Sequence, residues 1–444
     1  MKRLIDKRLD DWYFSDDKKP LIIKGSRQVG KTYSIREFAR RNYENLIEIN
    51  FEREIEYVDL FKSTRNPKEI LNYLKLTYLD TPFDKTTLLF LDEIQASPDA
   101  LTTLKFLAED FPLDIICSGS VLGVAISSTP SFPVGYVEIW DMRPLTFIEY
   151  LWALGVEQTI IDLLNKSLID KSPLQEALHE KMNKILLDFL IVGGMPEVVS
   201  TYLKNKNYRE SLAVQRRIVQ DYTHDMAKYA SGSDRIKARE CYESIPLQLA
   251  KENKKFQYSL IKKGYSARYY DSSLRWLEDS GLIIKVNRLS QIQSPIEAYS
   301  ELPVFKVYMN DTGLLISQFD EKIIADLLSE KLGSYKGVIF ENLIAQMIKT
   351  NGKKAYYYEP NQHAEIDFII NYESQITPIE VKSASNTQSK SFVNFIKNNK
   401  SKFSCRVSMK NIGFNEEMNI LYIPFYLFEF WLNKERDVLK EIAY

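Results

Sequence analysis

The first third of this 444-residue sequence predicts an α/β domain built on a parallel sheet. Three observations carry that expectation. Short apolar runs alternate with amphipathic stretches. Each helical stretch lies between two apolar runs, as right-handed crossovers require. The first run opens into a Gly-rich turn followed at once by a helical pattern. The apolar runs are Leu21–Ile23, Leu46–Asn50, Leu88–Leu91 and Leu113–Cys117, with a fifth near Val137–Trp140. Helical periodicity covers Thr32–Tyr43, Pro67–Tyr78 and Pro98–Phe111. Ser127–Pro133 shifts to turn-forming residues and reads as a loop.

Beyond this third the pattern turns helical from Thr146 to Asp225, broken once by VGGMP at Val192–Pro196, where two Gly and a Pro force a turn. Two or three shorter helices over Arg235–Asn287 end in the apolar run GLIIKVNRL, the outline of a winged helix-turn-helix. The last part reads as a helix at Val338–Lys349 and strands at Ala355–Tyr358, Ile366–Ile370 and Ile376–Lys382. A helix near Ser391–Lys397 and a strand near Asn419–Ile423 follow. At about 150 residues per domain, the length suits roughly three domains.

Composition narrows the function classes. Lys plus Arg total 59 against 60 for Asp plus Glu, which excludes a polycation and an acidic disordered tail. Three Cys in a chain this long exclude a disulfide scaffold and fit a reducing compartment. No segment approaches the ~20 apolar residues of a membrane-spanning helix, and the amino-terminal residues contain no apolar signal core. The expectation is a cytoplasmic protein with no membrane partner.

The strongest local signal is GSRQVGKT, residues Gly25, Ser26, Arg27, Gln28, Val29, Gly30, Lys31 and Thr32. It matches the phosphate-loop pattern G-x-x-x-x-G-K-[ST] between a strand and a helix. Gly25 and Gly30 let successive backbone N–H groups turn inward toward phosphate oxygens. Lys31 is placed to reach the β- and γ-phosphates of ATP, and the Thr32 hydroxyl to ligate Mg²⁺. The second half of the site is LLFLDEI at Leu88–Ile94. There Asp92 can hold the metal and Glu93 can polarise an attacking water. A strand between the loop and these acids, Leu46–Asn50, fits the additional-strand, catalytic-glutamate division of P-loop ATPases. ICSGSVLG at Ile115–Gly123 puts Ser118 and Ser120 after the next strand, either as γ-phosphate sensors or as an ordinary turn. Arg143, in DMRPLTFIEYL, is a candidate cationic finger or one half of a surface pair.

Taken in order, GSRQVGKT, LLFLDEIQ, ICSGS and RPLTFIEYL resemble the bacterial and archaeal AAA-superfamily ATPases that carry a C-terminal domain of long-unassigned function. VGGMPEVV at Val192–Val199, NDTGLL at Asn310–Leu315 and GVIFENLIAQMI at Gly337–Ile348 resemble later segments of that family. The likeness covers nearly the whole chain. One departure is Gly135–Tyr136, where a Gly-Arg pair is expected. If that Arg serves the ATPase, hydrolysis here is weakened.

Two further regions suggest partners. Lys251–Arg275 carries seven basic residues against two acidic ones, suited either to a phosphate backbone or to a lid on the ATPase. In the C-terminal region, AEIDFII and PIEVKSA set Asp367 before the Glu380-x-Lys382 pair. Glu380 and Lys382, two apart on one strand, share a face. Glu341 on the preceding helix can add a third carboxylate. This is similar to the PD-(D/E)xK nuclease arrangement, in which Asp367, Glu380 and Glu341 would hold Mg²⁺ and Lys382 would activate water. Lys382–Lys410 adds seven basic residues and no acidic one, a path for DNA or RNA. His179, His224 and His363 show no ligand spacing for zinc.

The expected fold is thus α/β: an AAA-like P-loop NTPase core at 1–145, a helical region at 146–230, a winged-helix-like region at 231–330 and an α/β restriction-endonuclease-like domain at 331–444. The expected function is an ATP- and Mg²⁺-dependent ATPase switch coupled to a nuclease-like end. The alternative is a non-catalytic, ATP-dependent regulator of DNA or of a protein partner, a second copy of the chain included.

Overall fold

The computed structural model describes residues 1–129, 131–229, 234–251, 254–329, 335–361, 364–383, 390–399 and 401–442. The chain divides into two compact units: Met1–Arg143 with Asp279–Leu282, and Pro144–Glu278 with Ile283–Tyr444. No described helix is long and apolar enough to cross a membrane.

The first unit is a five-stranded sheet of β1 (Leu21–Lys24), β2 (Asn45–Asn50), β3 (Thr87–Asp92), β4 (Asp114–Gly119) and β5 (Glu138–Asp141). Its order is β2-β3-β4-β1-β5 and every pairing is parallel. All six residues of β3 are buried, as a central strand covered on both faces requires. Ile22, Ile49, Leu101, Leu104 and Cys117 lie in one core with its own Leu89 and Leu91. Helix starts follow local chemistry. Asn66 accepts from the Lys68 N–H ahead of Pro67, and Ser97 accepts from the Ala100 N–H ahead of Pro98. Three α-helices here lie outside the sequence-based expectation, Leu4–Tyr13, Ile55–Ser63 and Leu122–Ser128, the last running into the expected loop at Ser127–Pro133. β4 extends two residues past the expected Cys117, which brings Ser118 onto the strand end.

The second unit begins with the helices Phe147–Ala153, Gln158–Asp170, Glu176–Val192, Pro196–Asn205 and Tyr208–Tyr229. The VGGMP turn is fixed from two sides. Gly194 O accepts from Leu145 N at 2.6 Å, and Gly194 N donates to Asp311 Oδ2 at 2.7 Å. A mixed eight-stranded sheet follows: β6 (Ile283–Leu289), β7 (Ser300–Met309), β8 (Tyr356–Asn361), β9 (Ala364–Tyr372), β10 (Gln375–Lys382), β11 (Ser404–Ser408), β12 (Gly413–Asn415) and β13 (Ile420–Pro424). Its order is β12-β13-β11-β10-β9-β8-β6-β7. The helix Tyr335–Thr350 is buried continuously from Val338 to Ile348, and Phe425–Leu432 of the last helix is buried too.

The expected wing differs in one respect. β6 and β7 do form an antiparallel hairpin after the helix Ala267–Asp279, but the hairpin does not stand alone. Asn287, Arg288 and Leu289 of β6 pair in parallel with Tyr356, Tyr357 and Tyr358 of β8, so the sheet runs across the boundary drawn at residue 330. The reason is hydrogen bonding: β8 has an edge that must be paired or exposed, and β6 supplies the ladder.

Candidate functional site

The phosphate-loop residues leave β1 at its C-terminal end and wind into the helix Lys31–Asn42. Gly25 sits at φ +151, and an added Cβ would fall 2.0 Å from Met142 O, so only Gly fits there. Gln28 (φ 67) and Gly30 (φ 96) are left-handed on either side of Val29, which curls the backbone into a concave turn. Gly30 is the N-cap of the helix, whose first N–H groups have no intrahelical acceptor. Ser26, Val29 and Lys31 are buried, whereas Arg27 is half-buried, 3.7 Å from Glu52. Lys31 Nζ donates to Gly25 O at 2.8 Å and to Ser26 O at 2.9 Å, which holds the ammonium across the loop.

Asp92, at the end of β3 and buried, gathers the rest. Its Oδ2 accepts from Thr32 Oγ1 at 3.2 Å and from Asn50 Nδ2 at 3.4 Å. Its Oδ1 accepts from Glu93 N at 3.0 Å and from the Ser118 hydroxyl. The Thr32 hydroxyl and the Asp92 carboxylate are hard oxygen donors side by side, and that donor set fits Mg²⁺. Glu93 is half-buried at φ 52, and its Oε2 accepts from Gln95 Nε2 at 2.5 Å. Ser120 is buried, and its hydroxyl has no hydrogen-bond partner among the described residues. Arg143 Nη2 donates to Asp141 Oδ2 at 3.2 Å, the surface-pair arrangement. Tyr136 lies with Lys105 Nζ 5.0 Å from its ring centroid.

Sequence reasoning missed three residues here. Asn50 carried a signal: it ends β2 opposite Asp92, at the C-terminal edge of the sheet where ligands of such folds bind. Gln95, two residues after Glu93, and Arg3, whose guanidinium reaches Val29 O and Arg143 O, carried none.

The C-terminal carboxylates are not gathered in the same way. Glu380 Oε2 accepts from Arg406 Nε at 2.7 Å, with Lys382 Nζ 3.2 Å from Oε1. Asp367 Oδ2 accepts from Val381 N at 2.7 Å. Glu341 pairs with Lys254 and accepts from Tyr308 OH at 3.3 Å. Lys306, almost wholly buried, pairs with Glu365. Burial, then the neighbouring Glu341 and Glu365, raises the Asp367 pKa above the usual carboxylate range. Burial opposes charge on Lys306, but Glu365, Glu341 and Asp367 outweigh it and leave its pKa raised. Among the described residues, no group of three or more His, Cys, Asp and Glu side chains could hold a metal ion. Glu341 and Glu380 are thus each paired with protein cations, and the expected Glu341–Asp367–Glu380 metal shell finds no support among the described residues.

The basic stretches are likewise partly spent on ion pairs. Lys254 meets Glu341, Lys255 meets Glu359 at 2.7 Å, Arg275 meets Asp271 at 3.1 Å, and Lys382 and Arg406 meet Glu380. His363 and the basic-run residues 384–389 and 400 lie outside the described residues. His179 is a core histidine, its Nδ1 2.7 Å from Tyr426 OH. Cys117, Cys241 and Cys405 are buried and unbridged.

Residues 17–151 match the family model described as an AAA domain. Residues 183–322 match a domain of unknown function (DUF8612), and residues 336–427 another (DUF4143). No curated protein matches the chain. Among solved structures, the Walker-type ATPase PABY2304 of Pyrococcus abyssi is 15% identical over 71% of this chain and 95% of its own, with a TM-score of 0.44. A Thermotoga maritima RuvB variant is 16% identical over 63% of this chain and 87% of its own, with a TM-score of 0.31. The Aeropyrum pernix ORC1 protein, solved in complex with DNA, is 12% identical over 73% and 92%, with a TM-score of 0.30. Likenesses this loose say nothing about what the present chain does. The AAA match and the parallel sheet with its phosphate loop agree on an AAA-type P-loop domain.

Proposed function

We propose that this chain is an ATP-binding and ATP-hydrolysing switch whose second unit carries the output. The observation behind this reading is the convergence on Asp92, where Thr32, Glu93 and Ser118 meet at the end of the phosphate-loop sheet. In this reading the N–H groups of Gly25–Thr32 and the Lys31 ammonium bind the phosphates. Thr32 and Asp92 would hold Mg²⁺, which when bound supplies positive charge against the phosphates. Glu93 orients the attacking water and takes its proton, while Gln95 fixes the Glu93 carboxylate. Ser118 steadies Asp92, and Ser120 is left to meet the nucleotide. Calorimetric titration of the wild-type protein with ATP, with and without Mg²⁺, tests the reading. The wild type binds more tightly with the metal, and Thr32→Ala loses most of that gain, about tenfold for one hard ligand. Metal-independent, unchanged binding in Thr32→Ala would remove Thr32 from the site.

For the second unit we infer a PD-(D/E)xK-like sheet that binds a partner without cutting it. The support is that Arg406 pairs with Glu380 and Lys254 with Glu341, so protein cations already sit on two of the three carboxylates. Domain limits near 145 and 230 remain the proposed divisions, while 330 divides segments that share one sheet. The check is incubation with single- and double-stranded DNA and RNA in Mg²⁺ or Mn²⁺. No cleavage is expected from the wild type. Cleavage abolished by Asp367→Ala or Lys382→Ala would instead establish a nuclease.

A further inference from the structure

We propose that Arg3 is a positioning residue of the nucleotide site: its guanidinium sets the Val29–Gly30 peptide so that the Gly30 N–H is aimed at the phosphates. The proposal rests on the reading of Gly25–Thr32 as an ATP site and names a residue outside the motif on which that site depends.

Arg3 is the N-cap of the helix Leu4–Tyr13, and its backbone is pinned there. Arg3 N donates to Asp6 Oδ2 at 2.8 Å, and Asp6 N donates back to Arg3 O at 3.1 Å. From this anchored backbone the side chain runs inward and is 6% exposed. Nη1 donates to Val29 O at 2.8 Å and Nη2 to Arg143 O at 2.7 Å. A buried guanidinium is costly unless its N–H groups find acceptors, so this fork defines where the two carbonyls must be.

Val29 is flanked by two left-handed residues, Gln28 and Gly30. Gly30 lacks a Cβ to restrict it, so the peptide between Val29 and Gly30 has little local preference for one orientation. That peptide is planar and trans, and its C=O and N–H therefore point in opposite directions. Holding Val29 O toward Arg3 turns the Gly30 N–H away from Arg3. Gly30 also opens the helix Lys31–Asn42, where unpaired N–H groups favour an anion. A flipped peptide would present a carbonyl oxygen to the phosphates in place of a donor. The second arm of the fork ties the same peptide to Arg143, one residue past Met142, whose carbonyl closes against Gly25.

The test compares the wild type, Arg3→Ala, Arg3→Lys and Lys31→Ala, with a fluorescent ATP analogue displaced by ATP or by inorganic tripolyphosphate. Melting curves of the unliganded proteins check folding. Arg3→Ala is expected to weaken ATP and tripolyphosphate by the same factor, tenfold or more, because the fault lies in the phosphate cradle. Arg3→Lys keeps the charge but offers no planar fork, and an intermediate loss is expected. Two results overturn the proposal: wild-type tripolyphosphate affinity in Arg3→Ala beside its loss in Lys31→Ala, or a loss confined to ATP. If Arg3→Ala does not fold, Arg3→Lys decides, and wild-type affinity in it overturns the proposal. A wild-type protein that binds neither ligand would instead refute the ATP reading itself.

Discussion

Lys31→Ala severely weakens nucleotide binding, and Glu93→Gln keeps binding while turnover collapses. Lys31 is 7% exposed and already bridges two carbonyls of its own loop, so its ammonium needs no reorganisation to meet a phosphate. Charge-assisted hydrogen bonds are worth about 1.5–3 kcal/mol each, so losing Lys31 weakens ATP by roughly 100-fold or more. Glu93 lies outside the cradle, held in a left-handed conformation that costs a non-glycine residue about 1 kcal/mol. Such strain persists where the surroundings impose it, here through Glu93 N on Asp92 and Gln95 on the carboxylate. A glutamine at this position cannot take a proton from water, and turnover falls by about 100- to 10,000-fold. Titration for affinity and steady-state phosphate release for turnover separate the two effects. A Lys31→Ala protein with wild-type affinity and turnover would sink the nucleotide assignment.

Asp311→Ala destabilises the second unit by about 3 kcal/mol, because it strands buried donors. Asp311 is fully buried and accepts from Gly194 N at 2.7 Å and from Leu314 N at 3.0 Å. It both fixes the VGGMP turn and caps the helix Thr312–Ser317. The cost depends on pH. Burial raises the Asp311 pKa to about 6, against an ordinary value of 3.8. The folded unit thus binds the proton more tightly than the unfolded chain does. This contribution is complete below about pH 4 and is lost as pH rises through about 6. The gap between wild type and Asp311→Ala should therefore be widest near pH 4 and narrow above pH 6. Urea melts at the two ends of that range give the measurement. A gap that widened with pH would mean that the carboxylate is stabilised in its charged form.

The candidate nucleotide site was legible because each of its motifs is local. A phosphate loop needs its glycines and lysine at fixed spacing, and β3 announces itself as an apolar run ending in two acids. What was hidden depends on contacts between distant segments. Arg3 lies 26 residues before Val29, and nothing in LIDKRLDDWY marks the residue in front of it as buried. β11, SCRVS, reads as polar yet is buried throughout. It tolerates burial because Arg406 stands in register with Glu380 on β10 and pairs with it. In the C-terminal cluster the strand alternation correctly put Glu380 and Lys382 on one face. The partners that changed its meaning, Arg406, Lys254 and Lys306, come from three other segments, and no spacing rule connects them.

The pairing of β6 with β8 also matters for the order in which the protein is made. β6 and β7 leave the ribosome well before Tyr356, so this hairpin must wait with one edge unmatched until β8 arrives. A fragment starting after residue 330 would face the converse problem. Its sheet would end at β8, with the ladder of Tyr356, Tyr357 and Tyr358 open to any passing strand. Self-association of such a fragment would then report a missing edge and not a natural oligomer. The middle of the chain is a covering strand for the C-terminal sheet as much as a region in its own right.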